Sequence, residues 1–369
     1  MSATQARTAQ LRARTGEVAD RPDVTLVLAA SALTIIGLVM TLSASSAVAA
    51  ASTGSAFSIF AKQFLWASLG FAAMLAFWRI DYRRLRGWSY IAVPVIWFLL
   101  ILTVIPGIGS EAYGASRWLS IGPLSLQPSE TAKLVLLVFG ADVLSRKLPL
   151  LDDWRHVMVP HLAVVGVTCV LVLTQPDFGT TVIIAGSAML MAFLAGARAQ
   201  FLGTLTLAGI VAGFPVMLME GYRFQRFMAF LQSDTNSLDG GYQAAQGLIA
   251  LGSGGLFGMG LGSSRQKYMY LPNAHTDFIF AILGEETGLA GTLTVLLLFG
   301  VVAVVGIRIA RRSSDPFGFL LAAGVIGWIS VQALINIGAV TGVLPITGVP
   351  LPLVSFGGSS LLFSLAALG

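Results

Sequence analysis

Apolar residues run along this chain in long blocks. Ten can be drawn, over residues 24–46, 59–79, 88–106, 128–145, 157–174, 178–196, 199–219, 276–307, 317–341 and 355–369. A helix needs roughly 20 apolar residues to cross the hydrocarbon core of a bilayer. The pattern therefore predicts an all-α integral membrane protein of about ten transmembrane helices, with residues 23–369 as one polytopic domain. Residues 1–22 are polar and Arg-bearing and read as a disordered tail. The tenth block, about 15 residues long, is short for a crossing. The last helix is therefore expected to be truncated, with a cytoplasmic tail to follow. No internal repeat is visible.

Two interruptions are long. Residues 107–127, "GIGSEAYGASRWLSIGPLSLQ", are polar, aromatic and Gly-rich, and residues 220–275 form the largest connection, between helices 7 and 8. Long loops in a compact protein are usually functional or disordered, and the second is too rich in Gly, Leu and aromatic residues to be simple disorder.

Composition supports the membrane reading. The chain is 56% hydrophobic and 11% charged, with a mean hydropathy of +0.83, whereas soluble domains carry about 25% charged residues. No disulfide within the chain can form from the single cysteine, Cys169, an apolar filler. The first block is too long for a cleavable signal peptide and is expected to stay as an anchor.

The net charge of +5 reflects topology rather than affinity for nucleic acid. With the N-terminus cytoplasmic, the inner side holds Arg7, Arg12, Arg14, Arg21, Arg79, Arg83, Arg84, Arg86, Arg146, Lys147, Arg155, Arg198, Arg308, Arg311 and Arg312. That is 15 of the 22 Lys and Arg residues. Outer loops hold Arg117, Arg223, Arg226, Arg265 and Lys267, and Lys62 and Lys133 lie near outer helix ends. This asymmetry sets the orientation in the cytoplasmic membrane.

Against this background the polar residues of the blocks stand out. Asp277 enters the eighth block in "NAHTDFIFAILGEETGLAG". Thr276 or Asp277 as an N-cap is the bland account. Glu285 and Glu286 follow, about 12 Å deeper along a continuous helix and on other faces, among glycines that let helices approach closely; they read as structural hydrogen-bonding groups between helices. In "LQPSETAKL", Glu130 and Lys133 are three apart and can pair, or Lys133 can meet an anionic group at the membrane surface. Asp177 in "LTQPDFGTT" suits a turn.

In the large loop, Arg223 and Arg226 of "YRFQRFMAFLQ" fit an interfacial amphipathic helix. Repeated glycines in "GSGGLFGMGLGSSRQK" permit positive φ and close backbone approach. Arg265 and Lys267, just ahead of His275 and Asp277, suit a pyrophosphate-bearing lipid or simple headgroup anchoring. The uncharged stretch "TGVLPITGVPLPLVSFGGSS" holds Pro345, Pro350 and Pro352. Irregular backbone at membrane depth is tolerated only when buried in protein or lining a cavity, which points to a lining with Ser355, Ser359 and Ser360 facing it. The histidines are scattered, and no HExxH, CxxC or GxSxG motif occurs.

Together "GSGGLFGMGLGSSRQKYMYLPNAHTDFIFAILGEE", "GASRWLSIGPLSLQPSETAKL", "QPDFGT" and "NIGAVTGVLPITGVPLPLVSFGGSSL" resemble the SEDS family (RodA, FtsW and SpoVE) over nearly the whole chain after residue 24. "GLGSSRQKYMYLP" is more similar to FtsW and SpoVE than to RodA. The resemblance implies a peptidoglycan glycosyltransferase that polymerises lipid II outside the cytoplasmic membrane during cell division. It also implies membrane partners: undecaprenyl-pyrophosphate-linked glycan, a class B penicillin-binding protein that acts as transpeptidase, and other divisome proteins. The family's essential aspartate matches Asp277, its motif Glu and Lys match Glu130 and Lys133, and Arg117 and Asp177 match two further positions. Asn273 stands where the family often has Glu.

On this resemblance Asp277 is the expected general base for the acceptor sugar hydroxyl. The substrate-binding set comprises Arg117, Glu130, Lys133, Asp177, Arg223, Arg265, Lys267, His275 and Ser355. No metal ligand set is visible, although a divalent cation, Mg²⁺ or Mn²⁺, is compatible with diphosphate chemistry. Two other classes compete. A lipid II flippase would place polar groups near the midplane and on both sides, whereas here they crowd the outer face. A non-catalytic divisome scaffold would not need Asp277.

Overall fold

The computed structural model describes residues 23–107, 109–112, 115–122, 124–147, 154–219, 224, 228, 230 and 240–369. The expected tail 1–22, Arg223 and Arg226 lie outside the described residues. The helices are α1 (Val24–Thr53), α2 (Ser58–Arg79), α3 (Leu85–Val104), α4 (Pro128–Lys147), α5 (Trp154–Leu173), α6 (Phe178–Leu194), α7 (Ala199–Met219), α8 (Gly240–Ser253), α9 (Ile279–Arg312), α10 (Pro316–Val340) and α11 (Gly358–Leu368). Each of the ten apolar blocks contains one of these, and α8 is an additional helix inside the large loop. A second addition lies between α3 and α4, where β1 (Gly109–Ala112), β2 (Ala115–Ile121) and β3 (Leu124–Leu126) form an antiparallel meander.

Among the described residues, five helices (α1, α2, α3, α9 and α10) are long and apolar enough to cross a bilayer, and α5, α6, α7 and α11 contain shorter apolar stretches. Helix α4 falls outside both groups because it carries Glu130, Lys133, Asp142 and Arg146. Yet it is the central helix: Glu130, Lys133, Leu136, Leu137, Phe139, Ala141, Asp142 and Leu144 are all buried. Lipid does not reach its surface, so hydropathy underrates it. The main core runs from α1 through α4 and α6 to α9, α10 and α11.

Backbone approaches set this packing. A Cβ on Gly37 of α1 would lie 2.5 Å from Val354 O, and one on Gly179 of α6 would lie 2.5 Å from Thr347 O. The proline-bearing segment after α10 is thus clamped between two helices. Val349, Leu351, Leu353 and Val354 are buried, so this segment is buried protein.

The bundle has two polar ends. At one, Arg86 Nη2 bonds Asp315 Oδ2 at 2.7 Å and Arg146 Nε bonds Asp142 Oδ1 at 2.8 Å. Tyr82 donates to Asp315 and Tyr90 to Asp142. The opposite end carries the sheet, the starts of α4, α6 and α9, and the close of α10.

Candidate active site at the sheet-bearing end

Asp277 does not begin a helix. The N-cap of α9 is Phe278, which makes no side-chain capping bond, so the capping account of Asp277 is overturned. The residue sits half-buried in the turn ahead of α9. Asn273, with φ +57, bends the chain there; asparagine tolerates the left-handed region better than most residues. Its carbonyl accepts from Thr276 N and Phe278 N.

The turn is fastened from α10. Asn336 Nδ2 donates to Asp277 O and to Val349 O, both at 2.8 Å. One turn earlier, Gln332 Nε2 donates to Pro350 O at 2.9 Å, while its Oε1 accepts from Trp328 Nε1 at 2.8 Å and Lys133 Nζ at 3.0 Å. Two amides at i and i+4 share a helix face, so one face of α10 ties together α4, the buried proline segment and the turn holding Asp277. The expected site set omits both residues. Their only sequence signal is that they are the two amides of an otherwise apolar helix.

Lys133 and Glu130 form the i,i+3 pair, at 2.7 Å, with both side chains 2% exposed. The ammonium also lies 4.9 Å from the centre of the Trp328 ring. The ammonium is thus enclosed within the protein, between carboxylate, amide and ring. Glu130 Oε2 is buried without a hydrogen-bond partner.

Asp177 caps α6. Its Oδ1 accepts from Thr180 N at 3.0 Å and its Oδ2 from Gln127 Nε2 at 3.2 Å. Arg117, on β2, donates from Nε to Gln175 O at 2.9 Å and from Nη2 to Pro176 O at 2.5 Å. The "QPD" turn therefore holds the sheet through a guanidinium and the start of α4 through Gln127. Ser359 continues the tie, accepting from Gln127 N and donating to Ser125 O.

The two glutamates are not bare intramembrane charges. Gly288 interrupts α9 with φ 68 and ψ −163. The break leaves backbone groups unpaired, and the glycine loop fills them. Met259 N and Gly260 N donate to Glu285 O and Glu286 O, while Leu289 N and Ala290 N donate to Gly255 O and Leu256 O. Glu285 accepts from Ser264 Oγ and Arg265 N. Glu286 Oε1 accepts from Ser43 Oγ of α1 at 2.5 Å and lies 3.5 Å from Lys267 Nζ. Lys267 also donates to Gly262 O at 2.6 Å. Lys267 is buried against Glu286, and Arg265 N is bonded to Glu285, while the Arg265 side chain is exposed.

His275 is buried beside Phe356, with ring centres 5.6 Å apart, and its carbonyl accepts from Phe356 N. Burial disfavours the imidazolium and pushes its pKa below the usual value. Ser355 Oγ accepts from Leu351 N at 2.8 Å, and Ser355 O accepts from Gln63 Nε2, so this serine holds a turn rather than facing an opening. Among the described residues no group of three His, Cys, Asp or Glu side chains converges on a metal position.

Comparison with known proteins gives a consistent result. The family model for FtsW, RodA and SpoVE, described as cell cycle proteins, matches residues 23–369. Stage V sporulation protein E of Bacillus subtilis is 42% identical over 94% of this chain and 95% of its own. A probable peptidoglycan glycosyltransferase FtsW of Geobacter metallireducens is 40% identical over 95% and 93%. Among solved structures, a chain from work on structural coordination of polymerization and crosslinking by a peptidoglycan synthase complex aligns with TM-score 0.74 at 27% identity, covering 94% of this chain and 95% of that one. The rod shape determining protein RodA of Thermus thermophilus aligns with TM-score 0.69 at 27% identity over 94% of each.

Proposed function

The chain belongs to the FtsW, RodA and SpoVE family of cell cycle proteins, and from that premise we propose that it is a peptidoglycan glycosyltransferase polymerising lipid II during cell division. The observation that carries the reading is the setting of Asp277: a half-buried carboxylate in a turn held by its own main chain to Asn336. Asp277 accepts the proton of the acceptor's 4-hydroxyl on N-acetylglucosamine. That oxygen attacks the anomeric carbon of the donor N-acetylmuramic acid with inversion. The bond to the diphosphate breaks, and undecaprenyl pyrophosphate leaves with the electron pair.

Charge on the leaving group needs a cation. Of the described cations in the expected set, Arg265 has the exposed side chain, whereas Lys133 and Lys267 are buried in ion pairs. Arg265 is therefore assigned the diphosphate, and Lys133, Lys267 and Arg117 the shaping of the site. A divalent cation, Mg²⁺ or Mn²⁺, would be held by one carboxylate and the substrate's phosphates, as Mg²⁺ commonly is. The reaction takes place on the outer face of the membrane, with the N-terminus cytoplasmic. A class B penicillin-binding protein cross-links the product. The glycosyltransferase reading is supported by the relatives' names, and a cross-linking partner by the peptidoglycan synthase complex whose chain this one resembles.

The test is polymerisation of labelled lipid II by the purified protein, with and without its transpeptidase. Asp277→Ala is expected to abolish glycan chains in both settings while partner binding persists. Chains made by that variant would remove Asp277 as the base. Lipid II translocation without polymerisation would instead favour a flippase.

A further inference from the structure

Leu256, Phe257 and Leu261, in the glycine loop between α8 and Asp277, are exposed, Phe257 by 84%. Their height relative to the bilayer follows from α9. From Leu289 to Arg308 that helix runs for twenty residues, about 30 Å, the thickness of a hydrocarbon core. Arg308, Arg311 and Arg312 mark its basic end. Leu289, Leu293 and Leu297 recur every fourth residue and are exposed, Leu297 by 70%, which makes them the lipid-facing stripe. Gly288 therefore lies at the hydrocarbon boundary on the Asp277 side. Residues 255 and 256 are bonded directly to Leu289 and Ala290, so the exposed row continues the lipid-facing stripe.

Irregular backbone at that depth is tolerated where protein satisfies its polar groups, and several groups of this loop are bonded in that way. Gly258 N donates to Gly254 O, Met259 N to Glu285 O, Gly260 N to Glu286 O and Ser263 N to Gly260 O, while Gly255 O and Leu256 O accept from α9. Beyond the loop come exposed Arg265, Tyr268 and Tyr270, the residue types enriched where hydrocarbon meets headgroups.

We propose that residues 254–261 are a wedge inserted into the leaflet on the Asp277 side. Leu256, Phe257 and Leu261 lie among phospholipid acyl chains, and Arg265, Tyr268 and Tyr270 stand at the headgroups. The occupant of this surface is lipid, because the surface is continuous with the lipid-facing face of α9. The wedge fixes the height of the segment that leads to Asp277 and sets Arg265 in the plane of lipid phosphates.

The chain's single cysteine makes the test direct. On a Cys169→Ala background, Phe257→Cys and Tyr268→Cys are nitroxide-labelled in the full-length protein, reconstituted in phosphatidylethanolamine–phosphatidylglycerol vesicles. Accessibility to oxygen and to a water-soluble nickel chelate gives depth. The label at 257 should favour oxygen and lie about 5–10 Å below the phosphates, with the label at 268 at their level. Leu261→Cys repeats the measurement should Phe257→Cys fail to fold. A label at 257 that favours the nickel chelate would overturn the proposal. So would one shielded from both reagents only when a partner transpeptidase is added, which would make the surface a protein interface.

Discussion

Asn336 reaches from the close of α10 to hold the main-chain carbonyl of Asp277 at 2.8 Å, and the same nitrogen holds Val349 O at 2.8 Å. Both partners are acceptors, so the amide can face them only with its NH₂ group. Its oxygen is buried without a donor. The bond acts on the peptide of residue 277, so it governs where the carboxylate sits rather than its charge.

Replacing that amide should separate position from chemistry. Asn336→Leu leaves the buried Val349 carbonyl without this donor, at about 1–3 kcal/mol, and removes the bond to the half-buried Asp277 carbonyl. Displacement of the Asp277 turn by about 1 Å would lower polymerisation by up to a hundredfold. The expected result is a monodisperse protein with a much reduced kcat and little change in KM for lipid II. A variant that polymerises within about twofold of the parent would show that the bond does not position the base.

The buried pair on α4 predicts an asymmetric mutant cycle. Lys133→Met leaves Glu130 as an unpaired charge in the core and should destabilise by about 3–5 kcal/mol. Adding Glu130→Gln removes that charge and should recover most of the loss. Thermal unfolding of the two single variants and the double variant in detergent measures the coupling.

Gly288 should tolerate no side chain. Its φ of 68 and ψ of −163 fall where essentially only glycine is found, a strain of about 1–3 kcal/mol for other residues. A Cβ there would also lie 2.4 Å from Gly258 N. Gly288→Ala is expected to lower the unfolding temperature and to open the segment around residues 254–263 to protease. Gly300→Ala, at a position where a Cβ meets nothing within 4 Å, should do neither.

His275 predicts a pH dependence of stability. Burial holds the folded imidazole neutral below its ordinary pKa of 6.5, whereas the unfolded chain takes up a proton as pH falls through that value. The unfolded state then binds more protons, so stability falls on the acid side of pH 6.5 and is level above it. His275→Gln should make this slope shallower in unfolding curves recorded from pH 7.5 downward.

Much of the molecule was legible in the chain. The apolar blocks marked helices because their length and hydrophobicity require lipid or burial. Glu130 and Lys133 announced their pairing by spacing, and Asp177 its place in a turn. Less legible was α4, whose charges depress its hydropathy although its neighbours shield them. The meander between α3 and α4 went unread because its strands β1 and β3 are short and the segment shows no sustained period-two alternation. The bland account of Asp277 as a helix cap rested on the capping pattern of "HTDFIF", but the helix starts at Ile279 with Phe278 as its N-cap.

Sequence by itself determined the membrane-spanning class, the apolar blocks and the acids and cations that the chain must accommodate, because these depend on local hydrophobicity and charge. Only the tertiary structure decided which polar groups meet. Glu286 meets Lys267 across 19 residues and Ser43 across 243; Asn336 meets Asp277 across 59. Those partnerships arise where Gly288 breaks a helix and where one face of α10 meets a buried loop. A buried polar atom takes whichever partner packing brings within about 3 Å, and sequence spacing carries no record of that choice.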